Sequence, residues 1–318
     1  MNSRPGHYRQ RGVAVIMALL LTTLAITIVA SLFWQQQVQV RSIENQRLQL
    51  QKQWILRGAL DWAGLILRED GKHSATDNLD EPWAVSLAET RLDQYVENGR
   101  ADGDIADATL SGNISDAQAR YNLTNLCSNG VINPSEVAVL GRLLKNVGVN
   151  PALAQEVADL IATTQKSSTP SANSTPPNDN NIALPMSLNQ PDDLLAVPGF
   201  TPAMLDQIKE LVIFLPRVTP VNVNTASAQI LAARIDNLAL ADATQLVTNR
   251  ERASFRDMAD FSARLPTDAL APSASQISVV TSYFLVNGKV RMSRANLDMQ
   301  ALIERTPNGS KLIWIREY

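Results

Sequence analysis

The chain has 318 residues and a formal net charge of −3, with 28 basic and 31 acidic side chains. This length allows one large or two ordinary domains with a real hydrophobic core, and the mildly acidic balance argues against nucleic acid as the main partner. The single cysteine, Cys127, excludes an intramolecular disulfide, and a lone cysteine is typically a small buried apolar residue. The chain has only two histidines, His7 and His73, which are too few for most histidine-based metal sites and argue against a histidine-containing catalytic triad.

The first predicted element is an apolar helix over residues 13–34, which carry no charge. About 22 residues at about 1.5 Å rise give roughly 33 Å, enough to span a bilayer. Arg4, Arg9 and Arg11 precede the segment, so the positive-inside rule predicts a cytoplasmic N-terminus and a translocated body. A cleavable signal peptide is disfavoured, because the run is too long and Ala30-Ser31 is a weak cleavage site. A plain signal anchor remains as an alternative.

A predicted amphipathic helix follows directly, over residues 35–70. This segment has no proline, and its only glycines, Gly58 and Gly64, lie toward its end. A membrane helix prolonged in this way is unusual for a simple anchor. Its apolar residues recur at spacings compatible with one helical face: Val40, Ile43, Leu50, Trp54, Leu60, Leu65 and Leu67.

With a glycine at the border of the apolar run, the N-terminus resembles that of a type IV pilin-like precursor. The resemblance implies a leader over residues 1–12, cleavage between Gly12 and Val13 by prepilin peptidase, and N-methylation of Val13. Such proteins usually carry glutamate at the fifth mature position, where this chain has Met17. A carboxylate in the bilayer is costly unless paired, and in major pilins it pairs with the terminal amine of the preceding subunit. The missing glutamate therefore indicates a subunit at the tip of a filament.

The body is predicted to be α+β. Residues 71–122 are predicted to be mixed strand and loop, including a hairpin with its turn at Gly112-Asn113. Residues 271–318 are predicted to be strands, with turns at Asn287-Gly288 and Pro307-Asn308-Gly309. Strands on both sides of a helical block favour a small α+β domain with a helical insertion.

The predicted insertion covers residues 123–270. Its helical segments include one continuous helix over residues 201–215, and Ser135, Thr201 and Thr225 are candidate N-caps. Residues 166–181, rich in serine, threonine, proline and asparagine, predict a flexible loop.

The second half of the insertion resembles helix-hairpin-helix or SAM-like repeats, with Asn222, Asn224 and Thr225 opening a helix. DNA-binding repeats of this type use glycine-rich hairpins that let backbone N–H groups approach a phosphate. Here residues 236–240 contain no glycine, and the other hairpin has only Gly199. A small basic cluster stands among acidic neighbours: Arg250, Arg252 and Arg256. Structural or protein-interaction use is favoured, and a membrane-anchored, competence-type DNA-binding protein is the alternative.

Over nearly its whole length the sequence is similar to the family of general secretion pathway protein K, the large minor pseudopilin of type II secretion systems. The marks are the RGVA junction without the fifth-position glutamate, then WILRGALDWAGLILRED, ISDAQARYNLTNL, VNVNTAS and SYFLVNGKVRMSRANLDMQALIER. The resemblance implies a pseudopilin fold, with the long helix packed on a small antiparallel sheet. It also implies a non-enzymatic protein of the inner membrane, single-pass with a periplasmic head, that initiates and caps the pseudopilus.

The implied partners are the minor pseudopilins of the I, J and H classes, the major pseudopilin G, prepilin peptidase and the inner-membrane assembly platform, with no nucleic acid. No cofactor is expected. Family members commonly carry an acidic calcium-binding stretch, which the polar, proline-rich segment replaces here. Calcium needs six to eight oxygen ligands. The acids near this segment are too far apart in the sequence to predict such a set: Asp159, Asp179, Asp192 and Asp193. The calcium site is therefore not carried over, although the asparagine-rich loop leaves room for a weak one.

Trp54 and Trp62, on the upper part of the extended helix, are candidate partner contacts, with burial in the protein's own core as the alternative. A periplasmic enzyme is disfavoured, because no nucleophile, metal or phosphate-loop constellation occurs. His73 is predicted to be solvated in a charged loop. The acids around it are predicted to be helix-end or solvated charges: Glu69, Asp70, Asp80 and Glu81.

Overall fold

A computed structural model of the chain describes residues 11–92, 108–167, 186–270, 272–292 and 295–318. Leader residues 1–10 and most of the predicted flexible loop, from residue 168 onward, lie outside these ranges. The chain divides into two compact units, Met1–Ile55 and Leu56–Tyr318.

A single helix, α1, runs without interruption over 63 residues, Arg11–His73. The apolar and amphipathic segments are thus parts of one helix, as predicted, and His73 ends this helix instead of lying in a loop. The hydroxyls in the apolar part bond to the helix's own backbone: Thr22 Oγ1 donates to Leu19 O at 2.9 Å, and Thr27 Oγ1 to Leu24 O at 2.8 Å. Within the described residues, α1 is the one helix long and apolar enough to cross a membrane, judged by length and composition.

In the second unit, the last turns of α1 bury one face. Leu56, Leu60, Ala63 and Leu67 are buried at spacings of three and four, so they share one side of the helix. Gly71 lies against the Arg305 side chain, and Gly64 lies against Ser310, so this side of α1 packs on strands from the C-terminal part of the chain.

The strands of the described residues form one five-stranded sheet and three short pairs. They are β1 Leu87–Arg91, β2 Thr109–Asp116, β3 Tyr121–Asn122, β4 Cys127–Ser128, β5 Val131–Ile132, β6 Val212–Ile213, β7 Val221–Asn222, β8 Ile277–Ser278, β9 Tyr283–Met292, β10 Ala295–Thr306 and β11 Gly309–Glu317. The large sheet has the order β1-β2-β9-β10-β11, and all its neighbours are antiparallel. Strands before and after the helical block thus complete one sheet, which confirms the predicted α+β class with a helical insertion.

Two predicted turns are wrong. Gly112-Asn113 lies inside β2, and Asn287-Gly288 lies inside β9, with Gly112 directly opposite Gly288. The glycines are needed for a close strand approach and not for a turn, because a Cβ on Gly112 would lie 2.5 Å from the carbonyl oxygen of Asn287. The third predicted turn is confirmed: Pro307 and Asn308 connect β10 to β11, and Gly309 has a φ of +142°.

The inserted helices are α2 Pro134–Asn146, α3 Leu153–Ser167, α4 Pro202–Ile208, α5 Ala228–Arg234, α6 Leu240–Arg250 and α7 Met258–Ala263. Thr201 caps α4, as predicted, but Asn133 and Ser227, not Ser135 and Thr225, cap α2 and α5. The helix predicted over residues 201–215 ends early, because β6 pairs in parallel with β3. Cys127 is buried in the core of this domain, as predicted.

The helical domain and the sheet share a second, smaller apolar cluster. Ile213 and Leu215 follow the end of α4, and they pack with Tyr283, Leu285 and Leu302 from β9 and β10. One face of the central strands is therefore covered by the helical domain, and the chain passes between the two at residues 117–120 and 279–282.

Candidate functional site

The predicted processing junction lies at the start of α1. Gly12 is the second residue of the helix, and Val13 and Met17 follow in its first turns, with Met17 60% exposed. The first turn holds no acidic residue, and the first acid in the chain is Glu44. The helix therefore presents an apolar methionine where a filament-type subunit would present a carboxylate. Cleavage and N-methylation at Gly12-Val13 stay predictions.

The two tryptophans proposed as partner contacts are exposed. Trp54 is 72% exposed in the first unit, and Trp62 is 50% exposed in the second, so neither belongs to the core. Trp62 lines an apolar hollow of about 240 Å³ between α1 and the sheet, together with Trp83, Leu110 and Met299. Partner binding by these tryptophans stays a prediction.

Some acids predicted to be solvated lie in a buried ion-pair cluster at the end of α1. The Asp70 and Asp77 side chains are 6% and 1% exposed, and Arg305 of β10 donates to Asp70 Oδ2 at 2.7 Å and to both oxygens of Asp77. Glu81 is also buried, and it accepts hydrogen bonds from Ser74 and from the Trp83 indole at 2.7 Å. Asp70 does lie at the end of α1, as predicted, but neither Asp70 nor Glu81 is solvated, whereas Asp80 is exposed.

The carboxylates of this cluster, Asp70, Asp77 and Glu81, lie within 4.8 Å of one another. Arg305 bridges Asp70 and Asp77, so these two carboxylates form an ion-pair site with one guanidinium. Burial is the main cause that raises the pKa of Asp70 to about 6, helped by the nearby Glu81 charge, and burial also raises the pKa of Asp77.

Two of the four acids weighed for calcium, Asp159 and Asp193, accept hydrogen bonds from neighbouring residues. Asp193 Oδ2 accepts the backbone N–H groups of Asn189 and Gln190, and Asp159 accepts from the Gln155 amide. Asp179 lies outside the described residues. The absence of a calcium site in this region stays a prediction.

The VNVNTAS segment builds the junction between the sheet and the helical domain. Asn222 Nδ2 donates to Asp116 Oδ2 at 2.8 Å and to the Asp77 carbonyl at 3.0 Å, while Thr225 Oγ1 donates to Asp116 Oδ2 at 2.6 Å. The Asn224 side chain donates from Nδ2 to the Phe255 carbonyl and accepts the Phe255 N–H at Oδ1. Burial raises the pKa of Asp116 to about 6. These asparagines act as buried connectors and do not open a phosphate-binding helix.

The basic cluster of the hairpin region is only partly exposed, with Arg252 and Arg256 at the surface. Arg250 is buried and donates from Nη1 to the Val223 carbonyl at 2.7 Å, and burial lowers its pKa to about 10. Arg256 lies beside Asp260, which also pairs with Arg264 at 2.7 Å. In the glycine-free hairpin, Asn237 adopts a positive φ of 62°. Two exposed arginines beside acidic neighbours are a small patch compared with the concentrated basic surface that DNA binding needs.

A buried ion pair in the helical domain is absent from the sequence-based predictions. Arg234 of α5 and Glu136 of α2 approach to 2.6 Å, and the guanidinium stacks over the Tyr121 ring at 5.4 Å. The Tyr121 hydroxyl donates to the Glu136 carbonyl at 3.0 Å. No sequence signal marks this pair, because its members are 98 positions apart.

Comparison with known proteins agrees with the fold. Two family models described as "Type II secretion system (T2SS), protein K" match residues 119–217 and 221–280. The type II secretion system protein K of Pseudomonas aeruginosa is 26% identical, over 97% of this chain and 92% of the relative. The protein of the same name from Klebsiella pneumoniae is also 26% identical, over 94% of each.

Among solved structures, the GspK-GspI-GspJ complex of the enterotoxigenic Escherichia coli type 2 secretion system contains a similar chain. The match has a TM-score of 0.65 at 22% identity, and it covers 87% of this chain and 99% of the other, which shows the shared fold. None of these matches supports the DNA-binding alternative. The two family models fall in consecutive parts of the inserted helical domain and carry one description, and the relatives extend the match to nearly the whole chain. The chain therefore belongs to the type II secretion system protein K family.

Proposed function

We propose that this minor pseudopilin acts at the tip of the pseudopilus, where it initiates assembly and caps the filament. The observation that carries the proposal is Met17, which stands in the first turns of an unbroken helix without any acidic residue before Glu44. A subunit without the carboxylate has nothing to pair with the terminal amine of a preceding subunit, so it suits the first position. The large helical domain adds bulk above the sheet, which also suits a subunit that nothing stacks upon.

The N-terminal helix and the family together support a single-pass protein of the inner membrane. We propose that its N-terminus is cytoplasmic and its head is periplasmic, because the basic residues precede the apolar segment. The family is a structural part of a secretion machine, and the proposal assigns the chain no catalysis and no cofactor.

The proposed direct partners are minor pseudopilins of the I and J classes. The related chain of known structure was solved with GspI and GspJ, and the shared fold supports a corresponding complex here. The H-class minor pseudopilin and the major pseudopilin G complete the proposed assembly, which prepilin peptidase and the inner-membrane platform would serve.

Copurification tests the proposed function. The mature chain is co-expressed in membranes with the I- and J-class subunits of the same system, solubilised in mild detergent and passed over a sizing column. We expect one peak that contains all three chains. Trp62→Ala should weaken the complex, and Val131→Ala, which changes an exposed residue of the helical domain, serves as the matched control. An I–J pair that elutes without this chain would contradict the proposal.

A further inference from the structure

Two buried acids, Asp116 and Asp77, lie where the chain enters and leaves the helical domain, and Asp70, at the end of α1, shares the Arg305 guanidinium with Asp77. We call Asp70, Asp77 and Asp116 the acid seam. Asp116 ends β2, and its Oδ1 accepts the N–H of Gln118 at 2.7 Å, where the chain enters the domain. Asp77 Oδ2 accepts the N–H of Thr281 at 2.7 Å, where the chain leaves it. Asp116 and Asp77 therefore hold the two connections.

Further hydrogen bonds tie the two connections to each other. The Gln118 side chain accepts the N–H of Ser282 at 2.7 Å and donates to the Pro220 carbonyl at 3.0 Å. Asn222 joins Asp116 to the backbone of Asp77, as described above. A change in the charge of Asp116 or Asp77 therefore acts directly at the junction between the two domains. A change in the charge of Asp70 acts through Arg305, which also donates to the Thr281 carbonyl at 3.0 Å.

The charges of the acid seam are poorly balanced. Asp70 and Asp77 face one guanidinium, that of Arg305, together with the third carboxylate of Glu81. Asp116, 4% exposed, accepts hydrogen bonds from neutral groups that include those of Gln118, Asn222 and Thr225, and it pairs with no cation among the described residues. The nearest charged pair lining the adjoining groove, Arg120 and Glu210, is neutral as a unit. Buried carboxylates without a matching cation are costly in their charged form.

We propose that the acid seam is a proton-sensitive latch, which holds the helical domain on the sheet when protonated and loosens this junction when ionised. The latch is a property of this chain's own junction and does not depend on the proposed tip function.

The pKa values of the acid seam agree with this direction. The pKa values of Asp70 and Asp116 are raised to about 6 in the folded chain, against an ordinary value of 3.8, and that of Asp77 is raised as well. The folded state therefore binds more protons than the opened state between about pH 4 and pH 6. The stabilisation is complete below about pH 4 and is lost as the pH rises through about 6.

Hydrogen exchange of the full chain in detergent micelles tests the latch. Peptides covering residues 116–122 and 278–283 report the Gln118, Thr281 and Ser282 amides, and peptides of α6 serve as an internal control. After correction for the intrinsic exchange rate, we expect protection of the junction to fall roughly tenfold from pH 5 to pH 7.5. Protection of α6 should stay constant. Junction protection that is flat, or that rises with pH, would overturn the proposal.

Two variants and one control separate the latch from general stability. Asp116→Asn keeps the size of the side chain but cannot ionise, so it should reduce the pH dependence of junction protection by the share of one acid. Asp70→Asn, at the end of α1, should do the same to a smaller extent, and it decides the matter if the first variant does not fold. Asp268→Asn changes an exposed acid of the helical domain and should match the wild type. A slope in both folded acid-seam variants equal to that of the wild type would refute the latch.

Discussion

At the scale of single residues, the Gly112–Gly288 pair shows how little space separates β2 and β9. Gly112 faces the Asn287 carbonyl, and a Cβ on Gly288 would lie 3.0 Å from the Met299 methyl and 3.3 Å from Leu56. The absence of two side chains also leaves the apolar hollow beside Trp62 open. The same glycines therefore bring two backbones together and shape a surface next to a proposed partner contact.

Gly112→Ala is expected to destabilise the sheet by about 2–3 kcal/mol, because backbone must move to accept the methyl group. Gly58→Ala is the matched control, since nothing lies within 4 Å of a Cβ there and alanine favours a helix by about 0.5–1 kcal/mol. Urea unfolding of the detergent-solubilised chain measures both. Equal stability of the two variants would contradict the close approach.

At the scale of elements, the Glu136–Arg234 pair links α2 to α5 inside the helical core. Glu136 Oε2 and the Nε and Nη2 atoms of Arg234 are buried without hydrogen-bond partners among the described residues. The pair therefore depends on one close contact and on stacking over Tyr121. Such a pair determines the relative position of the two helices, and its net contribution to the free energy of unfolding is small.

Arg234→Met is expected to cost about 3–5 kcal/mol of unfolding free energy, because Glu136 would keep a buried charge without its partner. The double change with Glu136→Leu should recover most of this loss. Arg256→Ala, which alters an arginine side chain that is 83% exposed, should stay within about 0.5 kcal/mol of the wild type. Denaturant midpoints measure the three variants, and a double variant as weak as Arg234→Met would contradict the assignment.

Local patterns predicted the helices of the insertion, the unbroken α1 and the final hairpin, because periodicity and capping act within a few residues. The predictions were wrong where distant partners decide. Asn287-Gly288 has turn chemistry, yet it pairs with β2 across about 170 positions. Asp70 has the sequence context of a helix-end charge, yet Arg305, 235 positions away, buries it. No single-sequence pattern shows such partners, so the acid seam was missed, whereas Gly12, Val13 and Met17 could be named from neighbouring residues.

At the scale of the whole molecule, the proposed cleavage after Gly12 sets the N-terminus of the mature chain. When the chain is made together with prepilin peptidase, intact-mass and N-terminal analysis should show a protein that begins at N-methylated Val13. Gly12→Ala should block this cleavage. Gly6→Ala, within the same leader, should leave it unchanged. A wild-type chain that keeps residues 1–12 would refute the processing assignment.

The insertion of the helical domain between β2 and β9 has a consequence for the order of folding. These neighbouring strands of the sheet contact each other at residues 170 positions apart, so pairing them in an open chain closes a very long loop. The main core of the insertion, from Tyr121 to Ile277, is built from residues within it and can collapse beforehand. Its collapse brings Asp116 and Tyr283 near each other and removes most of the loop entropy. The sheet is thus expected to form late. A destabilising substitution in the helical domain should therefore slow the pairing of β2 with β9, although the substituted residue lies outside the sheet.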